Sequence, residues 1–184
     1  SLFEHRFESQ GSLQGHSVGN LLLIALTSVF GTFPSAIQEA SRVLAVRGRI
    51  LPVTLEQTVL SAELADGDVV SGESAIPQRP NRSPIRRVFL TRRRANSGDD
   101  ENAKDGAAGP IRALPEALQA ISEADAIVIG PGSLFTSILP NIAVPEVAEA
   151  IKSTNAAKIY VGNGMIEPGE TDGFTVTDHV AAIR

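Results

Sequence analysis

Ala126-Ile127-Val128-Ile129-Gly130-Pro131-Gly132-Ser133 joins four apolar residues directly to a turn built for close backbone approach. The apolar run is of the kind found in a parallel strand covered on both faces. A short helix is expected from Ser133 to about Leu139. A second opens at Pro145 with Val147, Ala148 and Ile151, and Lys158-Ile159-Tyr160-Val161 then reads as another buried-type strand. Strand, helix and strand in this order give a right-handed crossover and a parallel sheet, which places the chain in the α/β class.

Upstream, residues 15–30 are too densely apolar for one narrow stripe, as in a helix buried on most sides beneath a sheet, and Gly31 ends it. Pro34 suits the first turn of a second helix, with Ile37, Ala40 and Leu44 on one face and Gly48 just past its end. Three β-type runs follow, 50–54, 58–64 and 69–72. The Asp66-Gly67 pair marks a hairpin turn, so an antiparallel β meander is expected over about 49–74. Residues 85–90 read as a further strand, and 92–109, without apolar period, as an exposed or disordered loop. Leu118 and Ile121 indicate a helix after Pro115. A last helix starts near Thr177, with Thr175 and Asp178 at capping-box spacing.

The chain has 184 residues, 42% hydrophobic and 20% charged, with a formal charge of −5. A chain of this length buries roughly 70% of the surface its unfolded form exposes, enough for one apolar core. The longest apolar stretch, 21–26, is far short of the ~18 to 20 residues that cross a bilayer, so no membrane span is expected. Without cysteine there is no disulfide, thiolate metal site or thiol nucleophile, and an intracellular location is expected. The chain opens without Met or a secretory signal, has Met165 as its single methionine, and shows no strand-then-glycine start, which points to a fragment.

Chemistry is expected first at the glycine turn. Gly130 and Gly132 let backbone approach a ligand, and the N–H groups at and after Ser133 favour an anion such as phosphate. In open α/β sheets ligands gather beyond the carboxyl ends of the strands, where this turn lies. A tight strand-to-helix turn capped by Ser133 would read the same way. Ser133 is not read as a nucleophile, because Gly-x-Ser-x-Gly is absent. The loop 162–173 leaves the other parallel strand at the same rim. Its Asn163, Glu170, Thr171 and Asp172 suit sugar hydroxyls or a Mg²⁺ screening a diphosphate, although such residues are also ordinary loop material. Gly15, His16, Gly19 and Asn20 open the first helix, either close to a ligand or as packing and capping. The three histidines lack metal-ligand spacing. Seven arginines and no acid between Arg79 and Arg94 could bind RNA, but a solvated strand edge is the preferred reading, so nucleic acid is not an expected partner.

Five segments, taken in order, carry a family resemblance: 15–23 (GHSVGNLLL), 51–56 (LPVTLE), 72–74 (GES), 129–138 (IGPGSLFTSI) and 168–173 (PGETDG). Together they make the chain similar to the YvcK family of gluconeogenesis factors, within the CofD-like group that includes 2-phospho-L-lactate transferase. The resemblance implies a Rossmann-like three-layer α/β/α fold with a mainly parallel sheet, in a single domain lacking its N-terminal part. It also implies a nucleotide sugar of the UDP-GlcNAc type as ligand, and a cytoplasmic regulatory role in cell shape, cell envelope and growth on gluconeogenic carbon sources. The binding residues it implies are Gly130, Gly132, Ser133, Leu134, Thr136 and Asn163.

Gly132-Ser133 favours the YvcK side, since the transferase branch typically has Gly-Pro-Ser-Asn at this turn. The family's Gly-Gly-Gly-Thr-Gly loop and Asp-Asp-Gly-Gly segment are not in this sequence. Where the family carries Met-Thr-Gln, this chain has Met165-Ile166-Glu167, losing a hydroxyl and gaining a charge. No catalytic residue, resident metal or further cofactor is assigned. A phospho-lactyl-type transferase using Mg²⁺ near Glu170 or Asp172 is the alternative. A homodimer is left open as an arrangement.

Overall fold

The structure is a computed structural model that describes residues 5–7, 13, 15–93 and 109–184. It divides into two compact units, residues 1–52 and 53–184. The greater part of the loop expected at 92–109 lies outside the described residues.

In the first unit α1 spans Val18–Phe30 and α2 spans Phe33–Val43. The Ser17 hydroxyl accepts the Asn20 amide to start α1, and Gly31, in the left-handed region, closes it. Thr32 caps α2 in the same way, with Pro34 in the first turn. The helix ends at Val43, ahead of Gly48, and Leu44 is its C-cap. The expectation that α1 is buried on most sides is not met: none of its residues is buried, and Ile24 and Val29 are 62% and 75% exposed. The helix is apolar nearly all round, whereas α2 is the one helix packed on it among the described residues of its unit, and one neighbour covers one stripe.

In the second unit β1 (Thr58–Leu64) is the centre of an antiparallel sheet, flanked by β2 (Val69–Ser71) and β3 (Ile85–Arg92). Leu60 faces Leu90 and Ala62 faces Val88, with a bulge at Glu63/Leu64. The short helix α3 (Ala75–Gln78) lies between β2 and β3. The meander expected over 49–74 is displaced. Residues 49–57 form no strand, Pro52 has no N–H to donate, and β3 takes the outer position instead.

Downstream come α4 (Pro115–Ser122), β4 (Ala126–Ile129), a π-helical turn (Leu134–Ile138), α5 (Leu139–Ile142), α6 (Pro145–Ser153), β5 (Ala157–Tyr160) and α7 (Val176–Ile183). The strands β4 and β5 are parallel, running from Ala126 opposite Ala157 to Ile129 opposite Tyr160. The α/β class therefore holds. A mainly parallel sheet does not form among the described strands, because β1 to β3 are joined by local turns and only β4 and β5 by a helical crossover. Nor are β4 and β5 covered on both faces: Val128 and Ile159 are 58% and 48% exposed.

Leu60, Ala62, Leu64, Ile76 and Ile85 form the main core of this unit with Leu134, Phe135 and Leu139. The segment after the glycine turn is thus anchored against the antiparallel sheet by two side chains, Leu134 and Phe135, with almost no exposed surface. Full burial of a side chain of this size contributes about 2 kcal/mol. A second cluster, Ile111, Val144 and Val147, lies under α4 and α6 with Leu118 and Ile151. No single helix among the described residues is long and apolar enough to cross a membrane.

Candidate functional site

A cleft of about 760 Å³ opens beyond the carboxyl ends of β4 and β5. One wall is the glycine turn (Gly132, Ser133, Thr136) and another the loop from Asn163 to Glu170. The third is Glu73, Ser74, Pro77 and Gln78, at and before α3. Its size falls within the range of small-molecule sites. A smaller concavity of about 510 Å³ lies by the amino ends of the same strands. Its walls are Ser122, Asp125, Ser153, Thr154 and Asn155 with three alanines, and Asp125 is the one charged residue among them.

Gly130 allows the chain to turn out of β4. Its φ is +94°, and a Cβ there would stand 2.6 Å from the Val161 carbonyl oxygen. Asn163 holds the next residues, its Nδ2 donating to the Gly132 carbonyl at 2.9 Å. The Ser133 carbonyl accepts the amides of Ser137 and Ile138, the wider spacing of a π-helical turn. The amides of Gly132 and Ser133 themselves meet no acceptor among the described residues.

Ser133 does not cap the segment with its side chain; two glutamates do so from the loop after β5. The Leu134 amide donates to Glu167 Oε2 at 3.0 Å. The Phe135 and Thr136 amides donate to Glu170 Oε2 at 3.0 and 3.1 Å, and the Thr136 hydroxyl to Glu170 Oε1 at 2.7 Å. Glu170 is buried and fully bonded, whereas Glu167 is half-buried and faces the cleft.

That loop is itself held from beneath. Arg79, buried, donates to the carbonyls of Ile76 and Gly169 through one guanidinium nitrogen and to Ser83 through the other. Burial lowers its pKa, and Arg82 nearby adds to this, yet a guanidinium stays charged at any working pH. Thr171 has no exposed surface, and its hydroxyl accepts the Glu167 amide at 2.9 Å. Asp172 accepts the Gly169 amide at 2.8 Å. A Cβ on Gly169 would collide with the Pro77 carbonyl, so a side chain there cannot coexist with this docking.

The structure therefore brings Gly132, Ser133, Thr136, Asn163 and Glu170 to one cleft, with Gly130 shaping its turn. Leu134 contributes an amide already bonded to Glu167. Thr171 and Asp172 act inside their own loop and do not line the cleft. Gly15, His16, Gly19 and Asn20 belong to the first unit, where Gly15 is bonded to Phe7 and Arg6. Sequence reasoning missed Pro77 and Gln78 as walls, and noted Glu73 and Ser74 for resemblance alone. Their distance in sequence from the glycine turn gives no local signal.

Arg79, Arg82, Arg86, Arg87 and Arg92 of the arginine run have internal partners. Arg86 and Arg87 pair with Glu63, Arg92 pairs with Glu56, and Arg82 donates to the Pro77 carbonyl. The bonded Arg92 guanidinium, joined by the Arg112 amide, holds the Glu56 carboxyl below the usual carboxylate range.

A parallel strand pair whose glycine turn and polar loop meet in a cleft defines an α/β protein with a ligand-sized site at the carboxyl rim of its strands. The whole chain, residues 1–184, matches the family described as 2-phospho-L-lactate transferase CofD, and it belongs to that family. Within it the chain stands with the YvcK-type gluconeogenesis factors. It is 48% identical to the gluconeogenesis factor of Halalkalibacterium halodurans over 99% of this chain and 51% of that protein. With that of Bacillus subtilis the identity is 47%, over 100% and 52%. The crystal structure of a UPF0052 family member from Bacillus halodurans superposes with a TM-score of 0.80 at 47% identity, covering 99% of this chain and 53% of that one. The chain spans about half the length of the curated relatives it matches.

Proposed function

We propose that the cleft binds a nucleotide sugar of the UDP-GlcNAc type, and that the protein is a regulatory binder serving cell-envelope and carbon-source adaptation rather than a catalyst. The observation that carries this reading is the pair of unbonded amides at Gly132 and Ser133, on the wall of a ligand-sized cleft at the carboxyl rim of a parallel strand pair. Such amides donate to phosphate oxygens, while Asn163, Glu73 and Gln78 on the other walls can bond sugar and ribose hydroxyls.

The family's description favours transferase chemistry as a second reading. In this chain the carboxylates it would use for Mg²⁺ are engaged elsewhere, Glu170 with three donors and Asp172 with the Gly169 amide.

The test is calorimetry with UDP-GlcNAc, UDP and GDP on the protein and on Ser133→Pro. Ser133 has φ −60° and ψ 130°, values that proline adopts freely, so the substitution deletes the N–H without bending the chain, and Ser133→Ala, which deletes only the hydroxyl, is the control. A roughly tenfold loss of affinity at unchanged melting temperature is expected, the worth of one hydrogen bond to a charged group. Heat from none of the three nucleotides would overturn the reading.

A further inference from the structure

The acids of the cleft are unequal. Its walls carry Glu73, Glu167 and Glu170 and no lysine, arginine or histidine. Glu170 is buried, and three donors surround its carboxylate. Glu73 is exposed at the outer wall. Glu167 is half-buried, has one bond, to the Leu134 amide, and so sits one residue beyond the unbonded Gly132 and Ser133 amides. A carboxylate here presents its charge to any anion placed on those amides, and the half-buried setting screens it less than open water would.

Resting on the nucleotide-sugar reading, we infer that Glu167 is a specificity-determining residue that disfavours a free terminal phosphate and favours a diphosphate capped by a sugar. The chemistry separates the two ligands cleanly. A terminal phosphate monoester carries about −1.5 to −2 charge at pH 7, whereas a sugar-esterified phosphate carries about one negative charge. The cap also replaces a charged oxygen with hydroxyl donors, which a carboxylate accepts well. Glu167 thus repels one ligand and bonds the other through the same two oxygens. Rejection of the wrong ligand by charge is a recognised route to specificity at modest cost in affinity.

The experiment compares Kd for UDP-GlcNAc and for UDP, without divalent metal, in the protein and in Glu167→Gln. Glutamine keeps an oxygen for the Leu134 amide and removes the charge. The protein is expected to prefer UDP-GlcNAc about tenfold, and the variant about twofold or less, chiefly by gaining affinity for UDP. The unsubstituted protein supplies a second arm: raising ionic strength from about 0.01 M to about 0.5 M should shrink its preference by screening. Binding with the same preference in both proteins and at both salts would overturn the role of Glu167 and leave the nucleotide-sugar reading standing. UDP binding as tightly as UDP-GlcNAc to the unsubstituted protein would do the same. Heat from neither ligand in either protein would overturn both.

Discussion

The turn at 130–133 and the loop at 167–173 leave neighbouring parallel strands at the same rim, and both are made of glycine, proline and small polar residues. Their polar groups have opposite fates. In the loop, the Gly169, Glu170 and Thr171 amides, the Thr171 hydroxyl and the Asp172 carboxylate all find partners within the loop, and Arg79 binds it from below. In the turn, two successive amides have no partner among the described residues. Glu167 apart, the more chemically endowed segment is the structural one, and the segment with little but backbone keeps its capacity for a ligand. A carboxylate close to N–H groups becomes their cap, whereas an amide can stay unpaired only where the fold has no acceptor to offer.

The largest way to break that contrast is Glu170→Ala. It would leave the Phe135 and Thr136 amides without an acceptor against a core in which Phe135 is 2% exposed. A loss of about 3 kcal/mol is expected, near 10 °C in melting temperature for a chain of this size. Urea unfolding would measure it. A loss under about 1 kcal/mol, no more than a surface substitution, would show that the loop is not the clamp described.

Arg79→Met comes next. Methionine fills part of the same volume but cannot bind the Ile76, Gly169 and Ser83 carbonyls, so about 2 kcal/mol should go. The loss is moderated because the Arg79 Nε is buried without a partner, and removing that atom relieves its desolvation cost. Hydrogen exchange should locate the loosening at 167–173 and leave β1 to β3 protected. Uniform loosening would place the arginine's role in the core as a whole.

What could be read in the sequence follows the same division. The capping box of Thr175 and Asp178, the Ser17 cap and the Asp66-Gly67 turn were legible because each closes over two or three residues. The strand 126–129 and its glycine exit were legible for the same reason. Glu167 and Glu170 were not, since their partners lie 33 to 35 residues away and nothing in Pro168-Gly169-Glu170-Thr171 names them. Reading Ser133 as the cap failed because a residue's aptitude for a role does not reveal a stronger competitor arriving from elsewhere. Burial of α1 was overcalled on composition, which records a capacity to be covered and not the number of neighbours.

The smallest prediction uses Tyr160, the single tyrosine in a chain without tryptophan. Burial raises its phenol above the ordinary value near 10, and the Glu167 charge raises it further. Its hydroxyl lies 3.1 Å from His179 Nδ1, which fixes the ring at the end of β5 beside the loop. A phenol whose folded pKa is raised lends the fold stability that is complete below its unfolded pKa and is lost as pH rises through the folded one. Glu167→Gln removes the second cause and keeps the first. The absorbance titration near 295 nm should therefore move down while staying above the free phenol. The stability lost between neutral and alkaline pH should shrink with it, because the gap between the folded and unfolded pKa narrows. If the midpoint does not move, Glu167 does not act across the distance from its carboxylate to Tyr160, and its charge is then too well screened to sort ligands in the adjoining cleft.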